Sequence, residues 1–178
     1  MKQLVALCVP ALALAGCVTE APAGPDTTGP TITLQVQNAV GGARNFRSTD
    51  PASSGACAKV RGFPAKFSLS VGDPGGVGAA SVRVFPSAFD AASITTIDAP
   101  DVSYTVTPAS GGETLTIRLT PPAPGSVRTG VIATFEAAAA PGGEPDFAIV
   151  VEARDQAGNP TFMDQIDIRP ENSIVICD

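Results

Sequence analysis

Alternation of apolar and polar positions is the dominant pattern along this chain. It is clearest at residues 147–154, FAIVVEAR, where every second side chain is apolar and the residues between them become charged towards the end. A period of two is expected of a strand that lays one face on a core and turns the other towards water. The stretch therefore predicts a half-buried β-strand.

A polar turn and a return strand follow directly. Residues 155–159, DQAGN, have turn chemistry, because Asp155 can bond its own backbone two residues on and Gly158 accepts a positive φ. Pro160 opens the return strand, where its missing N–H costs little. The apolar residues predicted to face the core from this strand are Phe162, Ile166 and Ile168. Asp164 falls on the same face, so the strand contains either a β-bulge or an inward charge that protects a sheet edge.

The same alternation predicts more short strands between turns rich in glycine and proline. They fall at residues 31–37, 67–71, 80–84, 94–97, 102–106, 115–119 and 131–135. Residues 39–63 show no such pattern and are expected to form a long irregular connection. Eight to ten short strands without a long helix favour an all-β sandwich.

Three segments resemble bacterial immunoglobulin-like domains. The sequence EARDQAGNP at 152–160 resembles the final hairpin of these domains, DTTGPTITL at 26–34 is similar to their first strand, and residues 71–84 look like their second-to-third strand turn. The resemblance implies an immunoglobulin-like antiparallel β-sandwich. It implies no particular activity, because that fold hosts many unrelated roles.

The N-terminus has the features of a signal peptide. Lys2 precedes an apolar run at residues 4–13, which is too short for a spanning helix of about 20 residues. The following LAGC at 14–17 resembles the lipobox of bacterial lipoproteins, which implies that Cys17 is acylated and becomes the first residue of a membrane-anchored, extracytoplasmic protein. Val18 resembles the residue found there in lipoproteins of the outer membrane of diderm bacteria. The alternative is an ordinary secretory signal with a chance cysteine.

These features predict three regions: a signal peptide at 1–16, a lipidated cysteine and tether at 17–29, and one β-sandwich domain at 30–178. The tether is rich in proline, glycine and threonine, and at about 3 Å per residue it can hold the domain up to roughly 35 Å from the bilayer. The domain is long enough for one substantial core.

The four cysteines divide between these regions. Cys8 leaves with the signal and Cys17 receives lipid, so Cys57 and Cys177 remain in an oxidising compartment. In the predicted sandwich, the connection after the first strand and the end of the last strand lie at the same end. We therefore predict a Cys57–Cys177 disulfide, with two buried free thiols as the alternative.

The composition excludes several catalytic mechanisms. The chain contains no histidine, which rules out Ser-His-Asp and Cys-His catalysis and histidine-ligated zinc. Close carboxylate pairs, Asp98 with Asp101 and Asp164 with Asp167, leave a carboxylate-dependent hydrolase of the envelope as the alternative. The sequence favours a non-enzymatic envelope module, either structural or binding a protein or an envelope polymer.

Charge narrows the range of partners. Losing Lys2 with the signal leaves 10 of the 11 basic residues against 17 acidic ones, a net charge of −7, which argues against a nucleic-acid partner. Four basic residues cluster in the connection at 39–63: Arg44, Arg47, Lys59 and Arg61. They form a candidate contact, at the end of the domain away from the membrane, for an anionic envelope polymer or an acidic partner. The alternative is that they pair with acids across the domain.

Three acidic residues form a candidate calcium site. Asp26, Asp73 and Asp155 precede the first strand, follow the second and end the first strand of the final hairpin, positions that share the membrane-proximal end of a sandwich. Carboxylate oxygens suit calcium, and the Asn159 amide oxygen, main-chain carbonyls and water are expected to complete the shell. The alternative is that the three residues only form turns. No other cofactor is predicted.

Overall fold

The computed structural model describes residues 26–37, 42–50, 56–86, 92–100, 102–110, 112–118, 128–139, 146–174 and 176–177. Within these ranges the chain forms eleven strands. They are β1 Thr31–Gln37, β2 Ala43–Arg47, β3 Cys57–Val60, β4 Ala65–Gly72, β5 Val77–Pro86, β6 Ala92–Asp98, β7 Ser103–Ala109, β8 Gly112–Arg118, β9 Gly130–Ala139, β10 Phe147–Asp155 and β11 Pro160–Pro170. The sequence predicted eight to ten, so that number was too low. In the part of the chain described, no helix is long and apolar enough to cross a membrane.

The strands build two sheets that pack face to face. One has five strands in the order β2-β1-β4-β9-β6, and the other has six in the order β3-β11-β10-β5-β8-β7. All neighbouring pairs are antiparallel except β3 with β11, which is parallel. The prediction of an all-β sandwich with one disulfide is confirmed.

The core lies between the sheets and follows the alternation seen in the sequence. In β1 the buried residues are Ile32, Leu34 and Val36, each with 0% of its surface exposed, while their neighbours face outwards. Within the five-stranded sheet, Phe67 stacks on its neighbour Phe135 with 5.1 Å between ring centroids, and across the core Phe67 meets Phe147 edge-on at 6.1 Å. Burial of such side chains is the main favourable term in the fold, at roughly 25 cal/mol per Å² of apolar surface.

The segment at 39–63, expected to be irregular, contains β2 and β3. β2 is a sheet edge with the sequence ARNFR, and only Phe46 in it is buried. β3 has four residues, of which Ala58 and Val60 join the core. Both strands are too short to show a clear alternation in the sequence. Edge strands such as these can be held by main-chain pairing with one neighbour.

A bulge in β11 overturns one predicted orientation. Ile149 pairs with Ile166 but Val151 pairs with Met163, so β11 has one extra residue at this point. Met163 is therefore buried, at 6% exposure, while Phe162 is 63% exposed and not in the core as predicted. Asp164 is also exposed. Of the two alternatives that the sequence left open, the bulge is the correct one.

The two ends of the sandwich differ in chemistry. β1, β5 and β11 begin, and β4 and β10 end, at one end, which we call the Asp end. Near the opposite end, the disulfide end, Cys57 and Cys177 are bonded with their Cα atoms 5.2 Å apart. Because Ala58 and Val60 point into the core, Cys57 faces the outer side of its sheet. The disulfide therefore fixes the C-terminal segment to the outside of β3, and Lys59 Nζ supports it by donating to Ser173 O at 2.8 Å.

Candidate metal centre

Three acidic side chains meet at the Asp end. Asp26 lies just before β1, Asp73 just after β4, and Asp155 is the last residue of β10. One oxygen from each carboxylate lies within 4.8 Å of the others, and Asp73 and Asp155 are each only 4% exposed. The sandwich topology alone brings them together, because the three segments belong to different strands that share this end.

Asp73 organises the turn between β4 and β5. Its Oδ1 accepts a hydrogen bond from Gly75 N at 2.7 Å, and its main-chain oxygen accepts one from Gly76 N at 3.2 Å. Gly76 has a positive φ of 105°, which glycine adopts without strain. Asp73 N donates to Thr129 O at 2.9 Å, so the turn is also held to the start of β9. The carboxylate is thus fixed by its own turn.

Asp155 is held by the turn that follows it. Its Oδ1 accepts from Asn159 N at 2.7 Å, and its Oδ2 accepts from Asn159 Nδ2 at 2.6 Å. Burial raises the pKa of this carboxyl, but hydrogen bonds from the Asn159 side chain and from the main chain of Asn159, Gly158 and Ala157 outweigh it and leave the pKa below its ordinary value. Asp155 is therefore ionised at neutral pH despite its burial.

Asp26 ties the chain before β1 to this cluster. Its Oδ1 accepts from Thr28 N at 3.0 Å, and its main-chain oxygen accepts from Asn159 Nδ2 at 2.9 Å. Its Oδ2 lies so close to Gly75 that a Cβ there would collide with it. Glycine at 75 is thus required for the carboxylate to approach the turn.

Two carboxylate oxygens of the cluster accept no hydrogen bond from the described residues. Among the described residues, no hydrogen bond reaches Asp26 Oδ2 or Asp73 Oδ2, and no ion pair involves any of the three acids. Three oxygens this close repel one another unless solvent or a cation screens them. The sequence-based expectation for Asn159 needs revision, because the side chain points its NH₂ group at Asp155 and Asp26. It holds the Asp155 carboxylate and the main-chain oxygen of Asp26 as a donor, in place of the oxygen ligand that was expected.

The four basic residues lie on two different sheets. Arg44 and Arg47 belong to β2, while Lys59 belongs to β3 and Arg61 follows it. The guanidinium of Arg61 is 3.7 Å from Glu171, and Lys59 is bonded to Ser173 O. Lys59 and Arg61 thus both contact the C-terminal segment. For Arg61 this contact is with an acidic residue, as the alternative interpretation of the basic cluster predicted.

The first pair lines a groove that the sequence did not indicate. Arg44 and Arg47 lie with Phe162 and Asp164 around a groove of about 340 Å³ between β2 and β11. Arg44 also stacks over Phe46 at 5.1 Å from the ring centroid. Phe162 was missed because the bulge that exposes it cannot be located from alternation alone.

The remaining candidates from the sequence are the lipidated cysteine and the two carboxylate pairs. Cys17 and the signal peptide lie outside the described residues, as does Asp101 of the first carboxylate pair. In the second pair, Asp167 accepts hydrogen bonds from Arg169 at 3.0 Å and from Gln165 at 2.9 Å, while Asp164 is exposed at the bulge. Asp167 is therefore engaged in holding Arg169, which also binds Asp146 at 3.1 Å.

No protein-family model matches the chain, and no curated protein matches it.

Proposed function

We propose that this chain is a lipid-anchored, non-enzymatic module of the bacterial cell envelope. The observation that carries the proposal is where the chain enters the domain. β1 begins at Thr31, fourteen positions after Cys17, and it begins at the Asp end. An anchor at Cys17 therefore makes the Asp end membrane-proximal and leaves the disulfide end and the strand edges accessible to partners.

The anchor is tested by mass spectrometry of the protein from bacterial envelopes. The expected product begins at an acylated Cys17, and a Cys17→Ser variant is expected to lose both the acyl mass and the membrane fraction. Cleavage elsewhere with an unmodified Cys17 would remove the anchor and, with it, the assignment to a membrane surface.

The partner-binding part of the proposal rests on the groove between β2 and β11. The groove is lined by two guanidinium groups and an exposed phenyl ring, together with the carboxylates of Asp50 and Asp164. The two arginines suit an anionic envelope polymer or an acidic protein segment, because arginine binds carboxylate and phosphate through paired donors. Lys59 and Arg61 contribute less, since both already contact the C-terminal segment.

The binding test uses the anchored protein as bait in a crosslinked pull-down from intact envelopes. Reversing Arg44 and Arg47 to Glu is expected to abolish partner recovery, and binding by the parent should weaken steeply with salt. Reversing Lys59 and Arg61 is the matched control and should retain most of the binding. Equal recovery with both double variants would show that the basic residues do not contact the partner.

A second proposed property is calcium binding at the Asp end. The convergence of Asp26, Asp73 and Asp155 favours it, since calcium takes six to eight oxygen ligands and carboxylates from separate loops can supply several. Nearby main-chain carbonyls and water would supply the others. A calcium ion bound here would join the chain before β1 to two turns of the sandwich.

Thermal unfolding in millimolar calcium against chelator tests this property. An ion that binds only the folded state raises the melting temperature by mass action. The shift is expected for the parent protein and not for Asp73→Ala. A parent protein that melts at the same temperature in both conditions has three turn-forming aspartates and no calcium site.

A further inference from the structure

Four strands form the outer edges of the two sheets, and three of them have features that hinder pairing with another strand. β2 contains two arginines, β3 has four residues and includes Lys59, and β6 is interrupted by a bulge at which Thr96 adopts a positive φ of 49°. Charges, short length and bulges are the usual protections of a sheet edge. The fourth edge, β7, has seven residues without a charge or a bulge, SYTVTPA.

Pro108 is the single feature of β7 that protects this edge, and it also shows which main-chain groups of the strand face outwards. Pro108 pairs with Glu113 of β8 without disturbing the register. Proline lacks an N–H and is accommodated in an edge strand when its nitrogen faces away from the neighbour. Because the direction of main-chain groups alternates along a strand, Tyr104 and Val106 also turn their N–H and C=O groups outwards.

The core side of β7 is incompletely covered. Tyr104 pairs with Ile117 and Val106 with Leu115, so both side chains lie on the face of the sheet that forms the core. The facing edge strand, β6, packs over β8 and β5. Beyond it, Val106 is only partly buried and Tyr104 remains 44% exposed.

We propose that β7 pairs antiparallel with β7 of a second copy of this chain, joining the two six-stranded sheets across a two-fold axis. With the axis at Thr105, Tyr104 of each copy lies opposite Val106 of the other. Each such pair exchanges two main-chain hydrogen bonds, giving about four in all. Both Pro108 residues then lie outside these bonded pairs.

The side chains are self-complementary in this register. On the core side, an aromatic residue lies beside a β-branched one in both copies, a favourable cross-strand pair. On the outer side, Thr105 faces its own copy, and Ser103 faces Thr107. The absence of charge matters because two copies of an acidic chain, each with a net charge of −6, approach most easily along an uncharged edge.

A joint made by one strand from each copy buries little surface compared with the roughly 1,200–2,000 Å² of a stable interface. The association is therefore weak and depends on local concentration. Covalent trapping is a better test than gel filtration for such a contact.

The test places a cysteine at the axis of the full-length protein in envelopes. In Thr105→Cys, the two thiols lie across a non-hydrogen-bonded pair with Cα atoms about 4.5 Å apart, within the range for a disulfide. Mild oxidation is expected to give a homodimer on non-reducing gels. Thr95→Cys, at another exposed threonine on the bulged edge β6, is the matched control and should give at least tenfold less.

A second variant separates pairing from chance collision. Tyr104→Lys in the Thr105→Cys background sets two charges at the joint and is expected to reduce the homodimer at least tenfold, while Ile132→Lys, at a 61% exposed position of the other sheet, leaves it unchanged. The native Cys57–Cys177 bond, verified by mass mapping, reports that each variant is folded. Any one of four results would overturn the proposal: equal crosslinking at positions 95 and 105, no homodimer at position 105, a homodimer that is insensitive to Tyr104→Lys, or crosslinking of position 105 to a different protein.

Discussion

At the scale of single residues, the Asp end depends on Asn159 more than its place in a turn would suggest. Its side-chain NH₂ group donates both to Asp155 and to the main chain of Asp26, so one amide links the β10–β11 turn to the chain that precedes β1. The main-chain N–H of Asn159 adds a second bond to Asp155. Loss of this side chain should therefore affect both a carboxylate and the attachment of the N-terminal segment.

Asn159→Ala is expected to raise the pKa of Asp155 towards its ordinary value of 3.8. Because the folded-state pKa is depressed, the stabilisation is complete above the unfolded value and is lost as the pH falls through the folded value. The variant should thus be less stable than the parent at pH 6, with a gap that closes as the pH falls below 3.8. NMR titration of the Asp155 carboxyl and urea unfolding at several pH values measure both effects.

Asn45→Ala provides the control for this prediction. Asn45 accepts a hydrogen bond from Gln35 on an exposed sheet face and contacts no carboxylate of the cluster. Its replacement should leave the pKa of Asp155 unchanged. If Asn159→Ala also left it unchanged, the main-chain donors alone would account for the depressed pKa.

Gly75→Ala offers a test of the metal site that removes no carboxylate from the chain. The new Cβ would collide with Asp26 Oδ2, and this exposed side chain can rotate away. The expected result is a small change in melting temperature in chelator but a much reduced rise on adding calcium. Gly72→Ala, whose Cβ would lie 3.8 Å from Thr129 O, is the matched control and should keep the calcium response. Equal responses in the two variants would exclude Asp26 as a ligand.

At the scale of elements, the bulge in β11 decides which side chain belongs to the core. Met163→Ala should lower the free energy of unfolding by about 2–5 kcal/mol, the usual range for a buried methionine. Phe162→Ala, one residue away, should change it by no more than about 0.5 kcal/mol, as is usual for surface positions. Guanidinium unfolding measures both. The reverse ranking would mean that β11 pairs with β10 in a register without the bulge, with Phe162 facing the core.

Most of the elements that the sequence predicted have two or more buried residues at regular spacing, although β7 was predicted from its alternating residue types and has no buried residue. β1 has Ile32, Leu34 and Val36 in alternation, and its predicted limits agree with the structure. β2 was missed because it has a single buried residue, and β3 because it has only four residues, although its Ala58 and Val60 alternate into the core. Local spacing could not place the extra residue of β11 either, since a bulge becomes visible only when the strand is set against its partner.

The candidate site was predictable to a similar extent. The placement of three aspartates at one end follows from strand order, which the sequence indicated. The role of Asn159 as a donor and the close approach of Asp26 to Gly75 depend on side-chain geometry within the turns. No pattern along the chain contains that information.

At the scale of the whole molecule, the disulfide and the expected anchor lie towards opposite ends of the sandwich. The bridge joins β3, an edge strand, to the C-terminal segment that follows β11, and it closes a separation of 120 residues. It does not connect the two sheets. Its contribution to stability therefore comes chiefly from restricting the unfolded chain and from fixing the C-terminal segment, with little from core packing.

Replacing both cysteines, Cys57→Ser with Cys177→Ser, isolates this contribution. The free energy of unfolding should fall by about 2–5 kcal/mol, because a loop of this length restricts the unfolded chain by an amount near the upper part of that range. The denaturant dependence of unfolding should become steeper, since an unfolded chain without the crosslink exposes more surface. Ile176→Ala, a change at an 80% exposed position next to the bridge, should alter neither quantity. Urea unfolding of the full chain with Cys17 intact measures both. The same loss with an unchanged slope would instead mean that the bridge supports the packing between β3 and the core.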